Sequence, residues 1–171
     1  GYDVTLHWPR KYALIAGGKR ISGGLRSKQR WERRVLELPA IAFSFVMGDF
    51  QIERRQSGDT ELVVAFNRHT AWRQTDRERE QVLETLDSSV RFLEGLFGPV
   101  PLDQLHVATL PRDYSQSFAG FMTLTDSVVR PDPPRVESEM TWFRANTIAH
   151  EMAHQWWGNL VGWRSYRDQW L

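Results

Sequence analysis

The chain has 171 residues, 22 lysines and arginines against 21 aspartates and glutamates, and no cysteine. A net charge of +1 gives no global pull toward nucleic acid or an anionic membrane. The lack of cysteine excludes disulfides and thiolate metal sites, which leaves histidine and carboxylates as the available metal ligands. At 41% hydrophobic and 25% charged, the composition is that of a soluble globular protein. No apolar run of about 18 residues and no secretory leader at Gly1 indicates a membrane segment. A chain that opens Gly1-Tyr2 is also compatible with a piece cut from a longer one, whose targeting signals would then be missing.

The first 66 residues read as strands and turns. Tyr2 to Leu6 alternates, Ala13 to Ala16 is apolar, and Gly17-Gly18 and Gly23-Gly24 punctuate. The runs Ile41 to Val46 and Glu61 to Phe66 predict two more strands, separated by a turn at Ser57-Gly58-Asp59. Arg26, Lys28, Arg30, Arg33 and Arg34 carry no aromatic stacking pattern beyond Trp31, so they read as a solvated hairpin face and not a nucleic-acid patch. Near Asn67 the composition changes. Thr75 and Glu78 have capping-box spacing, and Val82, Leu83, Leu86, Val90, Leu93 and Phe97 form one helical stripe that stops at Gly98-Pro99. The charges between Arg73 and Glu80 read as the wet face of that helix. Leu105 to Leu110 and Phe118 to Leu124 predict strands, and Val129 to Pro134, with its three prolines, a loop. A second helix is expected from a cap at Ser138 or Thr141 to about Trp157, ended by Gly158.

The chemistry is concentrated in His150-Glu151-Met152-Ala153-His154. At 3.6 residues per turn, His150 and His154 share a helix face, so both imidazoles can reach one zinc ion. Glu151 beside them can take a proton from a water whose pKa the ion lowers. A catalytic zinc site normally has three protein ligands, so a third must come from elsewhere. His7, His69 and His106 have no ligand-like spacing and read as surface or hydrogen-bonded residues.

The run from His150 through Gln155-Trp156-Trp157-Gly158-Asn159-Leu160-Val161, followed by Asp168-Gln169-Trp170-Leu171, resembles the membrane alanyl aminopeptidase family of gluzincin zinc peptidases. The resemblance implies an α+β fold, in which residues 1–68 are the β-rich end of an N-terminal domain. Residues 69–171 would be the first part of a thermolysin-like catalytic domain. It also implies a Zn2+ cofactor held by His150 and His154, Glu151 as general base, and a peptide as the partner. In the family's register the third ligand is a glutamate two positions beyond Leu171. A chain without it is expected to bind zinc weakly and to turn over little.

One departure stands out in that resemblance. The family carries a Glu on the strand at the cleft edge that grips the substrate's free amine, and Ser117 occupies the matching position here. Gln116 and Ser117 are then candidates to bind the substrate backbone by hydrogen bonds. Two alternatives follow: a binding scaffold that has lost catalysis, and a zinc hydrolase of blocked peptides or other small substrates. Trp142, Trp156, Trp157, Trp163 and Trp170 read as core packing around the zinc helix, and Asp168 as structural.

Overall fold

The computed structural model describes residues 1–70, 72, 74–100, 102–131, 137–162, 164, 165 and 167. Among them the chain is α+β, with ten strands in three sheets and two α-helices. Strands β1 (Tyr2–Pro9), β3 (Lys19–Arg26) and β4 (Gln29–Leu36) form an antiparallel sheet in the order β1-β4-β3. The short β2 (Ala13–Ala16) pairs with β5 (Phe45–Gly48). The third sheet has the order β6-β7-β8-β10-β9, from β6 (Phe50–Ser57), β7 (Thr60–Asn67), β8 (Gln104–Leu110), β10 (Phe121–Thr125) and β9 (Gln116–Phe118). Its three middle strands are parallel and its two edges antiparallel. Sheet membership changes at Asp49, so β6 and β7 share a sheet with strands on the far side of residue 68.

Parallel neighbours need a crossover, and helix α1 (Asp76–Phe97) supplies it between β7 and β8. The middle strands are covered on both faces, which is why β7 and β8 read as nearly continuous apolar runs. On one face Leu62, Val64, Leu105, Val107, Met122 and Leu124 pack against α1 and helix α2 (Glu137–Ala153), which contributes Ile148 and Met152. On the other face Ala65, Ala108 and Phe121 pack against Ile15 and Phe50. Val82, Leu86 and Val90 of α1 are fully buried. Each contributes roughly 1.5–3 kcal/mol, so packing more than intrinsic propensity holds the helix in place.

The α1 start follows its sequence signature: Thr75 N–H donates to the Glu78 carboxylate at 2.8 Å. Its end does too, since Gly98 takes φ +83° and donates its N–H to Glu94 O at 2.9 Å. Phe97, expected in the buried stripe, is 44% exposed and lays its ring edge-on against Trp157. Arg79, expected on the wet face, is buried because its Nε donates to Glu53 across on β6 at 2.6 Å. Arg73 lies outside the described residues.

Other expectations need correction. Gly23-Gly24 is no turn: both lie inside β3, where a side chain at Gly23 would meet the Trp31 carbonyl of β4. The strand expected at Ile41 to Val46 starts only at Phe45, and the partner of β7 across the Ser57 turn is the charged edge strand β6. Phe118 to Leu124 breaks into β9 and β10, because Ala119-Gly120 turns the chain with Gly120 at φ +69°. Asp126–Val129 is a 3-10 turn, and residues 132–134 of the expected loop lie outside the described residues. Helix α2 begins before both Ser138 and Thr141 and ends at Ala153, four residues short of Trp157. Arg34 does not face solvent: it is buried and donates to the carbonyls of Ala16 at 2.8 Å and Gly18 at 3.0 Å. His106 is neither superficial nor fully hydrogen-bonded, being buried with Nδ1 unpartnered.

Candidate metal and peptide site

The last turn of α2 and the turn after it carry the motif. His150 lies in the helix and is exposed, Glu151 is buried, and His154 lies in the following turn, half-buried. The two imidazole centroids are 4.9 Å apart with the rings nearly perpendicular. His154 Nδ1 lies 3.1 Å from the Trp157 carbonyl oxygen. A carbonyl only accepts, so Nδ1 carries the proton and Nε2 keeps its lone pair for a metal. Asn159 closes the same turn by donating to the His154 carbonyl at 2.6 Å. Burial raises the Glu151 pKa, against the pull of His150, His154 and the Arg112 guanidinium.

Helix α2 is docked so that this turn is held from both ends. Arg144, buried, donates from Nε to the Val128 carbonyl at 2.7 Å. Trp156 sits in the core and its indole N–H donates to the Gly98 carbonyl at 3.1 Å, joining the end of α2 to the end of α1. Of the tryptophans expected in the core, Trp142 is 67% exposed. It lies near the solvent-facing start of α2. Trp163, Trp170, Asp168 and the Gln169 to Leu171 segment lie outside the described residues.

The edge strand β9 meets this turn through Gln155, a residue that the sequence reading passed over. Gln155 is 2% exposed. Its Nε2 donates to Ser117 Oγ at 2.6 Å and to the Phe118 carbonyl at 3.1 Å, while its Oε1 accepts from Gly120 N–H at 3.0 Å. An amide next to the second histidine, between that residue and two tryptophans, was the available signal, because a polar group buried among apolar ones needs a full set of partners. Gln116 is exposed on β9, and Ser117 is half-buried. The structure therefore brings Ser117 to the residue that follows His154.

Arg112 was also missed. It follows β8, with Nη2 donating to Thr123 Oγ1 and the guanidinium stacked 4.1 Å over the Tyr114 ring. Thr123 Oγ1 in turn donates to the Gln116 carbonyl at 3.3 Å. Among the described residues no three His, Cys, Asp or Glu side chains come together as a metal-binding group. The pair His150 and His154, with one imidazole already oriented, suits zinc as two of its nitrogen donors.

Residues 83–171 match the model of the peptidase family M1 domain. The chain is similar to Aminopeptidase N of Acetobacter pasteurianus, at 28% identity over 75% of this chain and 36% of that protein. It is similar to Tricorn protease-interacting factor F2 of Thermoplasma acidophilum, at 33% identity over 56% of this chain and 12% of that protein. It is also similar to human Endoplasmic reticulum aminopeptidase 1, at 30% identity over 55% of this chain and 10% of that protein. The chain thus spans only 36% or less of the length of these relatives.

Proposed function

This chain belongs to peptidase family M1, and from that premise we propose that it carries the metal-ligating and proton-transfer residues of a zinc-dependent, aminopeptidase-like enzyme acting on peptide bonds. The observation that carries the reading is the pair of histidines, His154 held by a hydrogen bond, flanking a buried glutamate. His150 and His154 would hold the ion, through Nε2 in the case of His154. When bound, zinc polarises the scissile carbonyl and lowers the pKa of a water to about 7. Glu151 takes a proton from the attacking water and delivers it to the leaving amine. A third protein ligand is not among the described residues.

Gln116 and Ser117 are proposed to bind the substrate backbone along β9. Ser117 Oγ accepts from Gln155, so its own hydrogen remains to be donated to a peptide carbonyl. We propose that the β-rich segment gives way to the catalytic domain between Asp49, where the sheet changes, and residue 68. A second reading, hydrolysis of blocked peptides, draws support from β9 itself, whose residues Gln116, Ser117 and Phe118 include no carboxylate to pair with a free amine.

The test is Glu151→Gln in the full-length protein. Zinc content should stay at the parent level, while hydrolysis of matched free and N-acetylated peptides should fall by about 10²–10⁴-fold. A near-normal rate would remove Glu151 from its role.

A further inference from the structure

Among the described residues Arg112 is a cation with no carboxylate in salt-bridge contact. Its guanidinium offers five N–H donors, yet it gives one to the neutral Thr123 hydroxyl and rests its face on Tyr114. Its Nε is buried with no partner. Among the described residues it makes no ion pair, and Asp113, next to it in the chain, is exposed. Arginines of β6 and α1 do have carboxylate partners, as Arg54 with Glu61, Arg55 with Glu80 and Arg79 with Glu53 show. A half-buried charge left uncompensated costs stability unless a ligand supplies the counter-charge.

The position of this cation ties it to the cleft edge. Arg112 bonds Thr123, Thr123 bonds the Gln116 carbonyl, and the next residue on β9, Ser117, is bonded to Gln155 beside His154. The same guanidinium is near enough for its charge to act on Glu151. Tyr114, under the guanidinium, is 59% exposed and supplies a flat wall beside it. The edge of the candidate cleft therefore offers a fixed positive group, and β9 offers no negative one.

We propose that Arg112, backed by Tyr114 and Thr123, is a subsite for a carboxylate of the peptide substrate. It makes this cleft select acidic peptides. Planar guanidinium donors match a carboxylate, and the restraint by Thr123 and Tyr114 reduces the ordering cost of binding. The carboxylate can be an Asp or Glu side chain or the peptide's own C-terminus, and the inference rests on the peptidase reading only in taking the ligand to be a peptide.

The test uses the full-length protein and three N-acetylated pentapeptides. One has a central Glu and an amidated C-terminus, one a central Gln and a free C-terminal carboxylate, and one a central Gln and an amidated C-terminus. Dissociation constants come from calorimetry and turnover is followed separately. At least one carboxylate peptide should bind about ten-fold or more tightly than the neutral one, and the first two peptides tell side chain from terminus. In Arg112→Gln that ratio should fall to about one, and in Arg112→Lys part of it should return. Added salt should shrink it. Equal binding of all three peptides would overturn the proposal, as would a preference that survives in Arg112→Gln. Retained preference with no hydrolysis of these peptides or of their free-amine counterparts would sink the peptidase reading and leave the carboxylate subsite standing.

Discussion

His106 makes the stability of this fold depend on pH in a way that one substitution can isolate. It sits mid-sheet on β8, opposite Phe121 of β10 and Val63 of β7, and is 5% exposed with Nδ1 unpartnered. Burial, reinforced by Arg34 and Arg54 and opposed by the Gly120 carbonyl and Glu61, brings its pKa down from 6.5 to about 3. A depressed folded-state value means that the unfolded chain binds the proton first. The neutral histidine's share of stability is complete above pH 6.5 and is lost as pH falls from there toward 3. Over most of that window the loss approaches 1.4 kcal/mol per pH unit, which puts it at about 2 kcal/mol by pH 5. His106→Leu removes the titration while keeping a side chain of similar bulk. Urea unfolding of both proteins at pH 8, 6.5 and 5 should show the parent losing about 2 kcal/mol more than the variant between the extremes. At pH 5 most ordinary carboxylates are still ionised, so they contribute little to the difference. Parallel stability curves for the two proteins would refute the assignment of His106 as a buried neutral group.

Other outcomes follow from the packing and hydrogen bonds. Leu86→Ala, at a fully buried position of α1, should cost about 2–5 kcal/mol and lower the melting temperature without changing the ratio of free to blocked peptide cleavage. Gln155→Leu leaves Gly120 N–H and the Phe118 carbonyl without their partner, at about 1–3 kcal/mol for each buried group left unpaired. Hydrogen exchange should quicken at Gly120 before it does at β8. Asn159→Ala removes the bond to the His154 carbonyl and should weaken zinc retention in a competition with a chelator, whereas Asp87→Asn, which loosens the pair with Arg91 on α1, should leave it unchanged.

How far the sequence predicts the fold depends on what each residue pattern encodes. Capping residues and one-sided apolar stripes act locally, so Thr75, Glu78 and the Val82 to Leu93 stripe placed α1 well. Motif spacing likewise placed His150 and Glu151 in the last turn of one helix, with His154 in the turn that follows it. Strand partners are nonlocal. Nothing in the charged run of β6 marks it as the neighbour of β7, and its polarity comes from lying at the sheet edge. The fates of Arg34, Arg79 and His106 were hidden for the same reason: each is buried by elements distant in sequence, and a charged residue's letter does not say whether a carbonyl or a carboxylate awaits it. Within the candidate site, Gln155 and Arg112 escaped notice because their roles are defined by hydrogen bonds to strands whose pairing the sequence does not state.

The two-residue turn Ala119-Gly120 has almost no freedom to change length. Gly120 gives its N–H to Gln155, its carbonyl accepts from His106 N–H at 3.1 Å, and its α-carbon faces Leu102 and the Gly18 amide. Three layers of the protein meet at one residue: the turn after α2, the central sheet and the N-terminal β segment. Loops elsewhere in such a fold can absorb insertions, because their backbone faces water. An insertion here would move β9 relative to His154, so variation among homologous chains in cleft width is expected to arise from the segments flanking this hairpin, with the hairpin itself kept at constant length.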